Sequence, residues 1–298
     1  MHDLVSVIIP TRNRATLLER AVLSVLGQTF QKFEIIIIDD ASSDSTQKLL
    51  VRLARQDSRI RIIRHSSASG GAAARNAGIA ASSGRWVSFL DDDDIWLPEK
   101  LETQIDVLNN NPGTMACTCS YRVFMPFGCK HSVHPPADVS LDILLQANIM
   151  GGASTCMCAG ESLKRIGGFD EQLPSAQDWD LWIQLRLEGK IVSCNKVLVH
   201  YDSHFGPRIT RNNRSRYAGL RKIYFKYRHL MDEHTRRINI ARLCYSRSRL
   251  PERETMRRLG DLGLAIKKVP AAVSAVYILS SFPRIIASII KRWIRIPG

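Results

Sequence analysis

Short, uninterrupted runs of β-branched apolar residues restrict this chain to a small group of folds. Residues 5–10 read VSVIIP and residues 34–39 read EIIIID. Runs of this kind are typical of strands that are covered on both faces in a parallel sheet. Between them, apolar residues recur at helical spacing as far as Gly27, and the capping-box spacing of Thr16 and Glu19 predicts where that helix begins. The chain therefore opens with a β-α-β unit.

The alternation of strands and helices then continues. Further strands are predicted at residues 60–63, 86–90, 115–121 and 154–158, and further helices after Asp44, after Gly71 and at residues 98–109, 141–147 and 178–188. Such alternation with short connections predicts an open, mostly parallel α/β sheet flanked by helices. Ligands of these sheets bind at the carboxyl ends of the strands, which is where the acidic clusters of this chain stand.

Basic residues are concentrated in the last third of the chain. Residues 1–200 hold 20 Lys and Arg against 22 Asp and Glu, whereas residues 201–298 hold 22 against 6. The two parts carry net charges of −2 and +16, which predicts an anionic partner, phospholipid or nucleic acid, for the second part. Residues 206–298 are expected to form a basic, mainly helical C-terminal extension.

The end of this extension has the pattern of an in-plane membrane anchor. Residues 269–282 are apolar but are interrupted by Pro270, and about twenty apolar residues are needed to span a bilayer. From Arg284 onward, basic residues and isoleucines separate onto opposite sides of a predicted helix. We therefore predict peripheral contact with an anionic membrane. The alternative is a helix packed on the preceding α/β part of the chain or on a second copy in a homodimer.

The cysteines and the amino terminus bear on the compartment. There are seven cysteines, an odd number without zinc-finger spacing, and we interpret them as reduced thiols. The chain enters an apolar strand directly after Met1 to Leu4, without a signal-peptide pattern. Together with the basic tail, these features predict a cytoplasmic protein at the inner face of the cell membrane.

Four consecutive aspartates, residues 91–94, follow the strand predicted at residues 86–90. Carboxylates this close repel one another unless a divalent cation neutralises them. Mg²⁺ and Mn²⁺ favour one or two carboxylates together with phosphate oxygens, so a nucleoside diphosphate is the expected partner. Neither a G-x-G-x-x-G motif nor a P-loop occurs, which argues against dinucleotide oxidoreductases and P-loop phosphotransferases. The alternative is a solvated acidic loop that caps the next helix.

Six motifs follow one another in the first two thirds of the chain. They are SVIIPTRNR at residues 6–14, EIIIIDDASSDST at 34–46, GGAAARNAG at 70–78, FLDDDDIW at 89–96, GGFDE at 167–171 and QDWDLWIQL at 177–185. In this order they resemble the motifs of family 2 glycosyltransferases with a GT-A fold, over residues 4–205. The resemblance implies an inverting, metal-dependent enzyme. Residues 1–115 would bind the nucleotide sugar and residues 116–205 would form the acceptor side of the same domain.

The resemblance also implies a site for a uridine nucleotide. Pro10 and Thr11 stand where the family binds the base, and Asp40 resembles the residue that accepts the uracil N3–H. Because cytosine N3 carries no hydrogen, this match favours UDP over CDP. Arg75 resembles the family arginine that faces the nucleotide. The alternatives are that Asp40 and Asp44 cap the next helix and that Arg75 is an ordinary surface residue.

Metal ligands are implied in the same way. Asp93 resembles the direct ligand of Mn²⁺ or Mg²⁺, with Asp91 and Asp92 nearer the ribose and the coordination shell. His204 matches a family histidine that is a candidate third metal ligand or phosphate contact. The alternative for His204 is an ordinary loop histidine.

Asp178 matches the general base of the family. In an inverting transfer this carboxylate removes the proton of the acceptor hydroxyl on the face opposite the departing UDP. The family usually has Glu-Asp here, whereas this chain has Gln177-Asp178. The alternative is that Asp178 is the N-cap of the helix that carries Trp179 and Trp182. We expect both tryptophans in the core.

These features predict transfer of one sugar from a UDP-sugar to a glycan or lipid-linked oligosaccharide in surface polysaccharide biosynthesis. Processive synthases of the same broad class carry Q-x-x-R-W; here Ile289 stands in place of the glutamine, so single additions are expected. Two alternatives stay open. One is a basic nucleic-acid-binding protein with a non-catalytic α/β scaffold, although base-reading motifs are missing and we expect no nucleic-acid partner. The other is a sugar nucleotidyltransferase, although PTRN at residues 10–13 lacks its glycine-rich opening.

Overall fold

The computed structural model describes residues 3–124, 130–202 and 212–250, together with residues 257, 260, 261, 263 and 264. The chain divides into two compact units, Met1–Ile209 and Thr210–Gly298. His204 and the tail at residues 269–298 lie outside the described residues, so the interpretations made for them stay predictions.

The first unit opens with the strands and helices expected from its apolar runs. The strands are β1 (Val5–Thr11), β2 (Phe33–Asp39), β3 (Ile60–Arg64) and β4 (Trp86–Phe89), and the helices are α1 (Ala15–Leu26), α2 (Thr46–Gln56) and α3 (Gly71–Ala81). The four strands are parallel, in the order β3-β2-β1-β4. Every apolar residue of β2 is buried, as expected for a strand that is covered on both faces.

The rest of this unit extends the same sheet. Its strands are β5 (Ile95–Trp96), β6 (Thr114–Phe124), β7 (Lys130–Val133), β8 (Met157–Ala159) and β9 (Lys190–Asp202), and its helices are α4 (Lys100–Asn109), α5 (Leu141–Gln146), α6 (Gly160–Ile166) and α7 (Gln177–Glu188). The order across the sheet is β3-β2-β1-β4-β8-β6-β9-β5, with β7 beside β6. β8 runs antiparallel to both of its neighbours, whereas β6 and β9 are parallel. The predicted α/β sheet flanked by helices is confirmed. It is mixed rather than mostly parallel, because four of the eight strand pairings among the described residues are antiparallel, each of them made by a strand that follows β4.

Close packing of α3 on β1 determines where the side chains of α3 lie. A Cβ atom on Gly78 would stand 2.4 Å from Cγ2 of Ile8, so only glycine permits this approach without a shift of the sheet or the helix. One turn earlier, Ala74 is fully buried. The neighbouring Arg75 then lies beside the loop that follows β4, where it contacts Asp91.

The described part of the second unit is helical, as predicted. α8 (Asn213–Tyr227) leads into a short 3-10 helix, Arg228–Leu230, and then α9 (Glu233–Ser248). The side chains of Asn212 and Asp232 cap the two helices by accepting backbone N–H groups of their first turns. No helix among the residues that the structure describes is long and apolar enough to cross a membrane.

Candidate active site

The carboxyl ends of β1, β2 and β4 meet at one edge of the sheet. Because β1 pairs in parallel with both neighbours, Thr11, Asp40 and Asp91 arrive at the same edge. Open α/β sheets bind their ligands at this position. Pro10, within β1 opposite Ile38, leads directly into it.

The aspartate run after β4 is held in a turn by the hydroxyl group of Ser154. The N–H of Asp91 donates to Ser154 Oγ at 3.0 Å, and Ser154 Oγ donates to the carboxylate of Asp94 at 2.6 Å. The N–H of Asp94 closes the turn on the carbonyl oxygen of Asp91 at 3.0 Å. Ser154 was not predicted, because it lies 63 positions along the chain from Asp91 and no local pattern marks it.

Three carboxylates of the run form a cluster. Asp91, Asp93 and Asp94 each offer an oxygen atom within 4.8 Å of the others. Carboxylate oxygens are the preferred protein ligands of hard divalent cations, and a cation relieves the repulsion between carboxylates this close. The donor set therefore fits Mn²⁺ or Mg²⁺. The motifs had pointed to Asp91, Asp92 and Asp93; Asp94 is the member that sequence reasoning missed.

Asp92 faces a different set of partners. Thr11 Oγ1 donates to one carboxylate oxygen at 2.8 Å and Arg14 Nη1 donates to the other at 2.9 Å. Arg14 also reaches Asp93 at 3.4 Å. Burial raises the pKa of Asp92 to about 6; the charge of Asp93 adds to this, while Arg14 and the Thr11 hydroxyl oppose it. Arg14 stands in the first motif, but sequence reasoning gave it no role.

Asp40 lies in the loop after β2 and is tied to the loop before α3. Its carboxylate accepts the N–H of Ser69 at 2.8 Å and the N–H of Gly70 at 2.9 Å, and it contacts Nδ1 of His65 at 3.0 Å. Burial acts to raise the pKa of Asp40, but these hydrogen bonds outweigh it and lower the pKa. Asp44 accepts the N–H of Thr46, the first residue of α2, at 2.9 Å, but the N-cap residue of this helix is Ser45 and neither Asp40 nor Asp44 is its cap.

Arg75 joins the aspartate cluster to α7. Its Nη2 donates to the carboxylate of Asp91, its Nη1 donates to the carbonyl oxygen of Gly71 at 3.2 Å, and its guanidinium lies 5.4 Å from the ring centre of Phe169. Its charge also acts on Asp178, where it opposes the rise in pKa that burial causes. The alternative interpretation of Arg75 as an ordinary surface residue is therefore wrong.

Asp178 lies in the first turn of α7, whose N-cap residue is Ala176. The alternative interpretation of Asp178 as the N-cap is wrong. One carboxylate oxygen accepts the N–H of Trp179 at 2.8 Å and the other accepts Nδ2 of Asn148 at 3.2 Å. Burial raises the pKa of Asp178 and Asp91 adds to this, whereas the Trp179 N–H and Arg75 oppose it.

The surroundings of Asp178 include two residues that sequence reasoning missed. Asn148 Nδ2 also donates to the carbonyl oxygen of Gly151 at 3.0 Å. Burial raises the pKa of Tyr121 to about 12, and the nearby Asp178 adds to this shift. Gln177, where the family usually has Glu, donates Nε2 to the carbonyl oxygen of Leu173 at 2.7 Å, a bond that a carboxylate could not donate.

Two further predictions, on the tryptophans and the cysteines, hold among the described residues. Trp179 and Trp182 are buried in the core. All the cysteines that the structure describes are free thiols and are buried: Cys117, Cys119, Cys156, Cys158, Cys194 and Cys244.

Comparison with known proteins places this geometry in a family. The family model described as Glycosyl transferase family 2 matches residues 6–160. The chain belongs to this family. It is 30% identical over 258 residues to TuaG of Bacillus subtilis (strain 168), a glycosyltransferase assigned to teichuronic acid biosynthesis, and the match covers 84% of this chain and 97% of TuaG.

Two further proteins are similar to this glycosyltransferase. WfgD of Escherichia coli, named as a UDP-Glc:alpha-D-GlcNAc-diphosphoundecaprenol beta-1,3-glucosyltransferase, is 31% identical over 193 residues, which cover 64% of this chain and 73% of WfgD. The structure of S. aureus TarS 1–349 in complex with UDP-GlcNAc is similar with a TM-score of 0.69 at 21% sequence identity, over 90% of this chain and 82% of that chain. This likeness confirms the GT-A type fold.

Proposed function

We propose that this glycosyltransferase transfers one sugar, with inversion, from a UDP-sugar to a glycan or lipid-linked oligosaccharide in surface polysaccharide biosynthesis. TuaG and WfgD support this class of pathway and acceptor, and the TarS complex with UDP-GlcNAc supports a UDP-sugar donor. One observation carries the proposal. Arg75 forms an ion pair with Asp91 of the carboxylate cluster, and its charge also acts on Asp178, so the candidate metal-binding cluster and the candidate base lie within electrostatic reach of one guanidinium.

The uridine would be bound at the ends of β1 and β2. The lowered pKa of Asp40 keeps its carboxylate charged at neutral pH, and a charged carboxylate is a strong acceptor for the uracil N3–H. Pro10 and Thr11 would form the adjoining wall of the base site. His65 and the N–H groups of Ser69 and Gly70 hold Asp40 in position, so little reorientation is needed when the base binds.

A divalent cation fits the carboxylate cluster. Asp93 would be its direct ligand, with Asp91 beside it, and Mn²⁺ or Mg²⁺ bound there would neutralise charge on the diphosphate. Arg14 and Thr11 hold Asp92 against the start of this cluster. Arg75 would add a second positive charge close to the departing UDP, because it already lies against Asp91.

Asp178 would act as the general base. The attacking acceptor hydroxyl loses its proton to the Asp178 carboxylate while its oxygen bonds to the anomeric carbon and UDP departs from the opposite face. Burial raises the pKa of this carboxyl, which makes it a stronger base. The hydrogen bonds from Asn148 and Trp179 restrict the rotation of the carboxylate.

The remaining predictions stay proposals. These are the division at residue 115 into donor and acceptor parts, the extension from residue 206, His204 as a ligand, peripheral contact of the basic segment with the inner face of the cell membrane, and a homodimer.

A screen of UDP-sugars distinguishes the proposed function from the two alternatives, a nucleic-acid-binding protein and a sugar nucleotidyltransferase. Among UDP-glucose, UDP-galactose, UDP-GlcNAc and UDP-GalNAc, at least one should bind in a Mn²⁺-dependent way and be hydrolysed slowly.

Two outcomes of this screen would contradict the proposed function. Indifference to every UDP-sugar, with salt-sensitive DNA binding, would favour the nucleic-acid-binding alternative. Formation of a UDP-sugar from UTP and a sugar phosphate would favour the nucleotidyltransferase.

Proton release on metal binding is a first expected result. Because the pKa of Asp92 is raised to about 6, the Asp92 carboxyl group is protonated in about half of the molecules near that pH. A cation at neighbouring Asp93 favours the charged form, so binding of Mn²⁺ with UDP should release up to about half a proton near pH 6 and almost none near pH 8. The affinity of the protein for Mn²⁺ with UDP should therefore rise as the pH is raised through the pKa of Asp92. Titration calorimetry in two buffers of different ionisation enthalpy measures the release. The terminal phosphate of UDP also releases protons near about pH 6, so the release at this pH should be smaller in Asp92→Asn than in wild type, and equal release in the two proteins would contradict the prediction.

A second expected result concerns the hydrogen bond from Asn148 to Asp178. Asn148→Ala removes a donor from the Asp178 carboxylate, and we expect turnover to fall about 10- to 100-fold with the affinity for UDP-sugar unchanged. Asn111→Ala, which removes a hydrogen bond to the carbonyl oxygen of Val107, is the matched control and should retain turnover. Steady-state kinetics and a melting curve are the measurements. Equal turnover in both variants would exclude Asn148 as a positioning residue.

A further inference from the structure

The α8 segment, residues 213–231, is strongly basic. It contains Arg214, Arg216, Arg221, Lys222, Lys226 and Arg228 and no acidic residue. The buried residues of α8 itself are Gly219, Ile223 and Tyr227, on the side of the helix that packs within the second unit, and Met231 at the end of the segment is also buried. The fold of this helix pair therefore does not require the opposite side to be basic or apolar.

That opposite side presents an exposed aromatic ring between two arginines. Phe225 is 49% exposed, and the guanidinium groups of Arg221 and Arg228 lie 5.2 and 5.1 Å from its ring centre. Leu230, at the end of the following 3-10 helix, is 37% exposed. An apolar side chain flanked by cations, with both left in solvent, is typical of helices that lie at a membrane interface.

A groove of about 350 Å³ adjoins this ring, lined by Tyr224, Arg228, His229 and Arg236. Every lining side chain can donate a hydrogen bond. Arg236 is oriented by a hydrogen bond from its Nε to the carbonyl oxygen of Arg228 at 3.2 Å. Asp232, the N-cap residue of α9, is a nearby acidic group: hydrogen bonds from Thr235 lower its pKa, and the charges of His234 and Arg236 add to this shift. The groove thus holds two guanidinium groups, and this nearby carboxylate is already engaged by the N–H of Thr235. The groove therefore has the donors and the positive charge that a phosphate group requires.

We propose that this α8 surface, formed by Arg221, Phe225, Leu230 and the groove, docks on a bilayer that contains anionic phospholipid. Phe225 enters the interfacial layer and a lipid phosphate occupies the groove. The surface is distinct from the tail at residues 269–298. The inference rests on the proposed function in one respect, that a lipid-linked acceptor gives such docking a purpose.

A bilayer explains this surface better than a nucleic acid does. Residues 221–230 read RKIYFKYRHL; the stretch holds Arg and Lys, which can contact guanine or phosphate, but lacks the Asn, Gln, Asp and Glu side chains that read the other base edges. Leu230 has no aromatic face on which a base could stack. Both Phe225 and Leu230 would instead gain from leaving water at an acyl boundary.

The test uses the full chain and vesicles of phosphatidylcholine with or without phosphatidylglycerol. Wild type should sediment with the anionic vesicles and much less with the neutral ones. In the variant Arg228→Gln with Arg236→Gln, the partition coefficient for anionic vesicles should fall about 30-fold, since each basic residue near such a surface contributes about a fivefold factor. Phe225→Ser should lower it about tenfold.

A matched control comes from α2 in the first unit. Val51 is exposed by 51% and Arg55 is exposed on the same helix, so Val51→Ser with Arg55→Gln removes similar groups elsewhere and should leave sedimentation unchanged. Phe225→Trp should bind as wild type does. Brominated phosphatidylcholine should quench a larger fraction of the tryptophan fluorescence of Phe225→Trp than of wild type, which has only the five native tryptophans.

Several results would overturn the proposal. These are α8 variants that sediment as wild type does, equal binding to neutral and anionic vesicles, no added quenching in Phe225→Trp, or a preference for DNA over vesicles. Tight binding of inorganic phosphate that the Arg228 and Arg236 changes abolish, without vesicle binding, would make the groove a site for a soluble anion. Mn²⁺-dependent UDP binding is measured on each preparation. A wild-type protein that sediments with anionic vesicles but does not bind UDP with Mn²⁺ would contradict the proposed function alone. One that binds UDP with Mn²⁺ but does not sediment would contradict the α8 surface alone.

Discussion

Replacing Asp178 by asparagine should lower turnover by about two to four orders of magnitude while leaving affinity for UDP-sugar near that of wild type. The asparagine keeps the size of the side chain but cannot take the proton of the acceptor hydroxyl. The affinity for the nucleotide should persist, because Asp40, the proposed contact to the uracil, and Asp93, the proposed metal ligand beside the diphosphate, are unchanged. Steady-state kinetics together with calorimetric titration of UDP give the two quantities separately.

The matched control for this variant is Asp142→Asn. Asp142 lies in the first turn of α5 just as Asp178 lies in the first turn of α7, so both changes remove a carboxylate from a helix amino terminus. If Asp142→Asn has normal turnover and Asp178→Asn is inactive, the loss of turnover comes from the missing proton acceptor and not from the helix amino terminus. Near-normal turnover in Asp178→Asn would leave that carboxylate only a structural role.

Asp93→Asn should remove most of the metal-dependent part of UDP binding. One charged ligand of a hard cation is lost, and we expect the Mn²⁺-dependent gain in UDP affinity to fall by about 100-fold or more. Binding without metal should change little. The melting temperature in the absence of metal should stay the same or rise, because the change relieves repulsion within the aspartate run. Titration calorimetry with UDP, with and without Mn²⁺, measures the effect.

The control for Asp93→Asn is Asp106→Asn, an exposed carboxylate on α4. It lowers the net negative charge of the same unit by the same amount, outside the aspartate run. If both variants kept the full response to Mn²⁺, the cluster would be an acidic loop and the metal assignment would be wrong. If both lost it equally, the effect would be one of overall charge.

The first part of the sheet, from β1 to β4, was predictable because its signals are local. β1 and β2 are uninterrupted apolar runs, and α1 ends at Leu26 before Gly27 as expected. The predicted start of α1 was wrong in detail. The helix begins at Ala15 without any side-chain capping bond, and its N-cap residue Arg14 extends to Asp92 instead. A capping box is a local preference, and here a tertiary ion pair occupies the start of the helix.

The later part of the same unit, from β5 to β9, was less predictable. The strand β9, Lys190–Asp202, was missed because polar residues interrupt its apolar positions, and it is identified by its long parallel pairing with β6. The short strands β5 and β7 were missed for a similar reason, since each exists through its pairing with a longer strand. Asn148, beside the candidate base, stands in a segment whose sequence has no motif.

Local sequence was sufficient to specify the four parallel strands, the acidic run at the end of β4 and the basic character of the second unit. Burial on both faces leaves an unbroken apolar run, and net charge is a matter of composition. The separate roles within the acidic run depend on residues far apart in the chain. Thr11 and Arg14 engage Asp92, whereas Ser154 engages Asp94. Hydrogen bonds between distant residues leave no periodic pattern in the sequence, so four identical aspartates acquire different surroundings only when the folded sheet brings those partners to its edge.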